Sequence, residues 1–296
     1  MNKTCLIIAG PTASGKTDLA IELGVKLNTE IISADSRQCY RELNIGVAKP
    51  TDAELEKVPH HFINTHSITE SVTAADFETY ALEKVNRIFE SRDVALMTGG
   101  TGLYIKAFAD GLDPVPAADP EIREGISEAY TKYGLVWLQE EVSRLDPLYA
   151  EKGEMQNPRR IMRALEVFKM TGASILQFHE KSKKGHPFRI VRIAIDRPRE
   201  ELYVRINNRV DRMVEQGLQQ EVESLLSYKE CQALQTVGYR EWWPFFEGEQ
   251  SLEEMLEKIR QNTRQYAKRQ LTWFRHQDDF KFVEPDAGSI LRLLDQ

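Results

Sequence analysis

Eight residues, Gly10-Pro-Thr-Ala-Ser-Gly15-Lys16-Thr17, constrain this chain more than any other segment. They match G-x-x-x-x-G-K-[ST] in full, and they lie where that motif needs to be. The apolar stretch Thr4 to Ala9 precedes them as a short buried strand, and Leu19, Ala20, Leu23 and Leu27 follow at helical spacing. Glycines let a backbone wrap an anion with its N–H groups, and the N-terminus of the next helix adds positive partial charge. Gly10, Pro11, Thr12, Ala13, Ser14, Gly15, Lys16 and Thr17 are therefore expected to hold a diphosphate. Lys16 brings a full charge to it, and the Thr17 hydroxyl is suited to ligate Mg²⁺, the expected cofactor.

The segments around the loop alternate in type. Strand character recurs at Glu30 to Ala34, His60 to Thr65, Val94 to Thr98, Arg189 to Ile195 and Phe280 to Val283. A helix starts at Thr73 with Asp76 behind it, and Phe77, Ala81, Val85 and Ile88 form its apolar face. This order predicts an α/β fold, a P-loop NTPase-like parallel sheet core with crossover helices. The pattern changes at the proline-rich stretch 113–120, after which only helices are expected up to about Lys184, one of them capped by Asn157-Pro158 and ended by Gly172. Residues 114–187 thus read as a helical insertion domain, between core segments 1–113 and 188–296. Two long helices, Arg199 to Val214 and Leu252 to Phe274, belong to the core.

Composition narrows the class. The longest apolar run near the start, Cys5 to Ala9, is too short for a signal peptide or membrane span, so no membrane partner is expected. Three cysteines without CxxC spacing suggest neither disulfides nor a zinc site, and a reducing cytoplasm fits. The net charge of −7 argues mildly against nucleic acid, yet 258–276 holds six Lys and Arg and no acid.

A phosphate loop alone says ATP or GTP. There is no NKxD segment for guanine, and the strand ending at Thr98 carries glycines at its tip where a Mg²⁺-binding acid is usual. Asp35, at the end of the second strand, should lie near the loop, because ligands in doubly wound sheets sit beyond the strands' carboxyl ends. It reads equally well as a general base, a Mg²⁺ partner or a turn cap.

Several segments together resemble the tRNA dimethylallyltransferase (tRNA isopentenyltransferase) family, in its bacterial form. They are the phosphate loop, Asp35-Ser-Arg-Gln38, Ile45-Gly-Val-Ala-Lys-Pro50, Thr73-Ala-Ala-Asp-Phe77, Gly99-Gly-Thr-Gly-Leu-Tyr104, Asn157-Pro-Arg-Arg-Ile-Met-Arg-Ala-Leu-Glu166, Val237-Gly-Tyr-Arg240 and Lys268-Arg-Gln-Leu-Thr-Trp-Phe-Arg275. The cysteines offer no zinc finger such as extends some eukaryotic members. The resemblance implies transfer of a dimethylallyl group from dimethylallyl diphosphate to N6 of adenosine 37 in the tRNA anticodon loop, with diphosphate released. It makes Asp35 the general base and gives Thr17, Thr101 and Arg209 catalytic roles. It also implies base flipping, with Ser36, Arg37 and Gln38 at the flipped base and Thr101 and Arg123 near the tRNA.

Charged helical faces extend this reading. Arg205, Arg209 and Arg212 share a face, with Arg209 favoured over Arg205 as a diphosphate contact; a solvated face explains them equally well without the family. Arg159, Arg160, Arg163, Arg240, Arg260, Arg264, Lys268 and Arg269 are the further candidates for tRNA phosphates. Tyr266, Trp273 and Phe274 fit the core side of the last long helix. A monomer suffices. An adenylate isopentenyltransferase, an ATP-dependent small-molecule kinase and a non-catalytic tRNA-binding protein are the alternatives.

Overall fold

Strand β1 (Thr4–Ala9) is buried along its whole length, and the rest of the core is arranged around it. A computed structural model of the chain describes residues 3–179, 184–277 and 279–294. Among these, β1, β2 (Ile31–Ser33), β3 (His60–His61), β4 (Val94–Gly99), β5 (Arg189–Ile195) and β6 (Lys281–Val283) form one sheet in the order β3-β2-β4-β1-β5-β6. All its pairings are parallel. The six strands are those expected, some shorter. The third stops at His61 because Phe62 and Asn64 take left-handed backbone angles of 63° and 57°, which no strand continues through.

The helices in chain order are α1 (Lys16–Leu27), α2 (Asp52–Lys57), α3 (Ala74–Phe89), α4 (Gly102–Asp110), α5 (Pro120–Leu145), α6 (Pro147–Lys152), α7 (Pro158–Thr171), α8 (Arg199–Glu215), α9 (Leu218–Ser224), α10 (Trp242–Phe246), α11 (Leu252–Arg275) and α12 (Ala287–Leu294). Strands covered on both faces should be apolar throughout, and β1 is. Leu6 and Ile8 pack with residues of α1 and α12, while Cys5, Ile7 and Ala9 face the opposite cluster, which includes α3, α4 and Phe274 of α11. The expected helix starts are present in detail. Thr73 and Asp76 form a reciprocal capping box, and Asn157 caps α7 ahead of Pro158.

The chain divides into two compact units, Met1–Asp110 with Gly185–Gln296, and Gly111–Lys184. Both junctions lie three residues ahead of those read from the sequence. Gly111, in the left-handed region at 80°, ends α4 before the prolines begin. At the other end His186 stacks on Phe108 and Phe188, which makes it part of the first unit. The second unit is helical and has its own core, including Ile126, Leu138, Val142, Ile161 and Leu165. Its long α5 is two helices joined at Gly134, where the backbone leaves helical geometry.

The sheet puts three loops side by side. Chain order reverses at β1, which lies between β4 and β5, so the tips of β1, β2 and β4 meet at the switch point. The β2 and β4 tips touch: Thr101 N donates to Ala34 O at 3.1 Å, and a Cβ on Gly99 would lie 2.1 Å from that same oxygen. Gly99→Ala should therefore force the two tips apart and lower stability by about 1–3 kcal/mol. Urea unfolding checks this, and an unchanged midpoint would mean that the tips are not held at this spacing.

Candidate functional site

The phosphate loop is built to expose its N–H groups. Gly10, Ala13 and Gly15 take positive φ values of 156°, 62° and 90°. Ala13 holds this angle despite its Cβ, a strain of the kind found at ligand sites. The loop's carbonyls are engaged by α8 and by Arg197, two residues before it. Arg197 Nε donates to Ser14 O at 2.7 Å, and Arg205 Nε donates to Ala13 O at 2.8 Å. No side chain caps the N-terminus of α1, so its first N–H groups are open to an anion. Lys16 Nζ donates to Pro11 O at 3.2 Å. Gly10, Pro11 and Ser14 are buried. The buried Ser14 hydroxyl has no partner among the described residues, whereas the Ser14 N–H donates to Pro11 O at 3.3 Å and its carbonyl accepts from Arg197.

A pocket of about 730 Å³ opens in front of the loop, lined by Lys16, Thr17, Arg205, Arg209 and Arg212 on one side and by the 44–55 segment on the other. Burial and the nearby Arg209 charge pull Lys16 down to about 8, with Asp35 opposing them. Arg209 is lowered by burial, and Asp35 again acts in the other direction. Lys16, Arg209 and Asp35 are thus within electrostatic reach of one another. Of the two arginines proposed for diphosphate, both line the pocket; Arg205 also braces the loop through Ala13 O, whereas Arg209 has its charge within reach of Lys16.

The two oxygens of the Asp35 carboxylate are used differently. Oδ1 accepts from the N–H groups of Arg37 at 2.9 Å and Gln38 at 3.3 Å, the turn-cap role. Oδ2 takes no part in that turn and can accept a proton. Thr101 holds the same turn, its hydroxyl oxygen accepting from Ser36 N at 3.0 Å. Gln38 departs from expectation. Its amide accepts from Ser33 Oγ at 3.0 Å and donates to Ala48 O at 3.1 Å. With both ends occupied, it braces the 45–48 segment and is not poised to contact a base.

Two residues passed over in the sequence hold the site together. Gln270, on α11 and only 7% exposed, accepts from Thr12 N and donates to Gly100 O, each at 2.9 Å. One amide thus ties the phosphate loop to the β4 tip. Its signal was a polar residue on an apolar stripe with Ala267 and Phe274. Glu221, on α9, accepts from the N–H groups of Asn44, Ile45 and Gly46 at 3.2, 2.8 and 3.0 Å and from the Tyr239 hydroxyl at 2.6 Å. It anchors the segment that walls the pocket, and nothing in its local sequence announced this.

The other predicted cations are elsewhere and in mixed states. On the helical unit, Arg123 and Arg163 both pair with the buried Glu166, at 3.0 Å each, whereas Arg159 and Arg160 are exposed. On α11, Arg260 pairs with Asp211 at 2.5 Å and Arg264 with Glu257 at 2.7 Å. The basic run is acid-free only along the chain: Glu257 stands one residue before it, and Asp211 arrives from α8. Arg260 and Arg264 are thus each paired with an acid that the run itself does not contain. Arg240 is exposed and lies 3.2 Å from Glu241. Lys268 and Arg269 are exposed without a carboxylate partner among the described residues. Phe274 is core as expected, but Tyr266 is 37% exposed.

Comparisons with known proteins show the family. A family model described as IPP transferase matches residues 38–277. The chain is 43% identical to a tRNA dimethylallyltransferase of Cytophaga hutchinsonii over 96% of its length and 94% of the relative's. It is 44% identical to that of Christiangramia forsetii, covering 98% and 96%. Among solved structures it is similar to the full-length tRNA isopentenylpyrophosphate transferase of Bacillus halodurans, with a TM-score of 0.73, 36% identity and coverage of 99% and 96%. It is also similar to a eukaryotic dimethylallyltransferase acting on tRNA, with a TM-score of 0.80, 26% identity and coverage of 97% of this chain and 75% of that one.

The Lys16 value has a measurable consequence. An anion in the loop favours the charged amine, so binding near pH 8 should take up protons, and affinity should fall as pH rises through 8. Inorganic diphosphate should bind the wild type roughly tenfold more weakly at pH 9 than at pH 7, relative to Lys16→Arg, whose charge does not titrate there. Calorimetry across that range tests it; parallel profiles for the two proteins would remove Lys16 from the anion site.

Proposed function

Because this chain belongs to the tRNA dimethylallyltransferase (IPP transferase) family, we propose that it transfers the dimethylallyl group of dimethylallyl diphosphate to N6 of adenosine 37 in the tRNA anticodon loop. The observation that carries this reading is the opposition of Lys16 and Arg209, around the phosphate loop, to Asp35 on the neighbouring strand tip. A kinase needs the first half of that arrangement. Alkylation of an amine, with diphosphate leaving, uses both halves.

The step follows from the charges. The N6 lone pair forms a bond to C1 of the prenyl group, and the C1–O bond breaks with its electrons going to the diphosphate. Lys16, Arg209 and the open N–H groups of α1 stabilise the charge growing on the leaving oxygen. Oδ2 of Asp35 accepts the N6 proton, while its Oδ1 stays in the turn that fixes the carboxylate's direction. Thr101 acts on the same turn through Ser36. Arg205 and Arg197 keep the loop in its binding shape.

Mg²⁺ fits this pocket by donor chemistry. Thr17 lines it, and no cluster of three or more His, Cys, Asp or Glu occurs among the described residues. A cation held by one hydroxyl, diphosphate oxygens and water is usual for Mg²⁺ and unsuited to metals that want a protein cage. When bound, it supplies further neutralisation of the diphosphate.

For the tRNA, the reading assigns phosphate contacts to Arg159 and Arg160 on the helical unit and to Lys268 and Arg269 on α11, predicted cations that have no carboxylate partner among the described residues. Arg37, half-buried beside Asp35, faces the acceptor base. The protein acts as a monomer in the cytoplasm, where its tRNA substrate is found. No helix among the described residues is long and apolar enough to cross a membrane.

The deciding experiment supplies dimethylallyl diphosphate, Mg²⁺ and an anticodon stem-loop carrying adenosines at 36, 37 and 38, and weighs the RNA. A gain of one prenyl group on adenosine 37 is expected; modification of free AMP instead, or ATP turnover, would sink the reading. Asp35→Asn should cut transfer by about 10²–10⁴-fold while leaving RNA affinity within about threefold. Retained turnover would take the base role from Asp35. Lys268→Ala and Arg269→Ala should each reduce the salt dependence of tRNA binding by about one phosphate contact, and Arg260→Ala by less. Equal slopes for all three would erase the distinction drawn from their ion pairs.

A further inference from the structure

Tyr266 is out of place for a core aromatic. It lies on α11, whose Phe274 is completely buried, yet it is 37% exposed and belongs to none of the core clusters. Its neighbours say where it faces. Gln270, one helical turn further on and on the same side of α11, reaches Thr12 and Gly100. Trp273, on that same side, packs where a Cβ of Gly102 would be, 2.4 Å away. The stripe 266, 270, 273 therefore runs along the β4 tip, and Tyr266 is the member of it that is exposed. Arg269 sets its guanidinium carbon 5.8 Å from the Tyr266 ring centroid. Burial and the charge of Asp35 push the Tyr266 hydroxyl up to about 12, with Arg37 and Arg269 opposing. Asp35, Arg37 and Arg269 are thus within electrostatic reach of Tyr266, which is 37% exposed.

We infer that Tyr266 is a base-positioning residue: its ring is the platform on which the acceptor adenine stacks while N6 faces Asp35. This rests on the reading that the acceptor is a flipped adenine. An unstacked purine loses its neighbours' π faces, and an aromatic ring within reach of the base acceptor replaces one of them. Arg269 adds a cation to the ring and has a phosphate of the same RNA within its class of ligands. Among the described residues no aromatic ring stacks on Tyr266, and Arg269 is the cation set near its ring, so core packing does not account for a half-exposed tyrosine at the β4 tip.

The test compares Tyr266→Phe and Tyr266→Leu with wild type on the anticodon stem-loop. Tyr266→Leu should lower kcat/KM for RNA by about 10- to 100-fold, the range of one lost base–aromatic stack, with the dissociation constant for inorganic diphosphate unchanged. Tyr266→Phe should recover most of that loss. With 2-aminopurine at the acceptor position, wild type and Tyr266→Phe should quench its fluorescence further than Tyr266→Leu does. Thermal unfolding of each variant separates stacking from folding. A Tyr266→Phe defect equal to that of Tyr266→Leu would shift the role to the hydroxyl and overturn the platform. Full activity of a folded Tyr266→Leu would overturn it too. A wild-type protein that modifies no RNA would remove the proposed function itself, a result distinct from either.

Discussion

A loop that offers its N–H groups to an anion must have its carbonyls satisfied from elsewhere, and much of this structure meets that condition. Ala13 O and Ser14 O are taken by Arg205 and Arg197, and Thr12 is held by Gln270. A buried polar group without a partner costs on the order of 1–3 kcal/mol, so three such anchors decide whether the loop keeps an open shape or collapses on itself. They come from the segment after β5 and from α8 and α11, all C-terminal to the helical unit. Half the site's support therefore lies more than 180 residues along the chain from the loop it supports.

The cations around the loop create an electrostatic problem. Lys16, Arg205, Arg209 and Arg212 line one pocket, and crowding with burial pulls the Lys16 amine far below its usual value. Asp35 is the nearby opposing charge. Its position moderates the cationic pocket, and in the proposed function the same carboxylate takes the N6 proton. Its freedom to reorient is small because Oδ1 is committed to the turn. The turn is in turn fixed by Thr101 from the β4 tip, and the β4 tip by Gln270. A single chain of hydrogen bonds thus runs from the phosphate loop to the proposed base.

Much of this was legible in the residues. The phosphate loop, all six strands, the capped starts of α3 and α7, and the helical insertion follow from periodicity and local capping, which depend on neighbours a few positions apart. Asp35 and Arg209 were legible because strand tips and helix faces have predictable directions. Less legible was where a side chain finds a partner outside the local helical or strand pattern. Arg260 and Arg264 looked unpaired until Asp211 and Glu257 met them, Gln38 looked available until Ala48 closed over it, and Tyr266 matched an apolar stripe whose end turned out not to be covered.

By itself, then, the sequence determined the fold class, the anion loop and the identity of the chemical groups at the strand tips, because these are set by local backbone preferences and short-range patterns. Only the tertiary structure decided what each charged or amide side chain is for. Whether Arg205 grips a phosphate or a carbonyl, and whether Gln38 is a ligand or a brace, depends on which acceptors come within about 3 Å. Those distances are fixed by packing between segments that have no pattern in common. The phosphate loop is the clearest case: its eight residues announce an anion, while the residues that hold it open and face it with a carboxylate are written elsewhere in the chain.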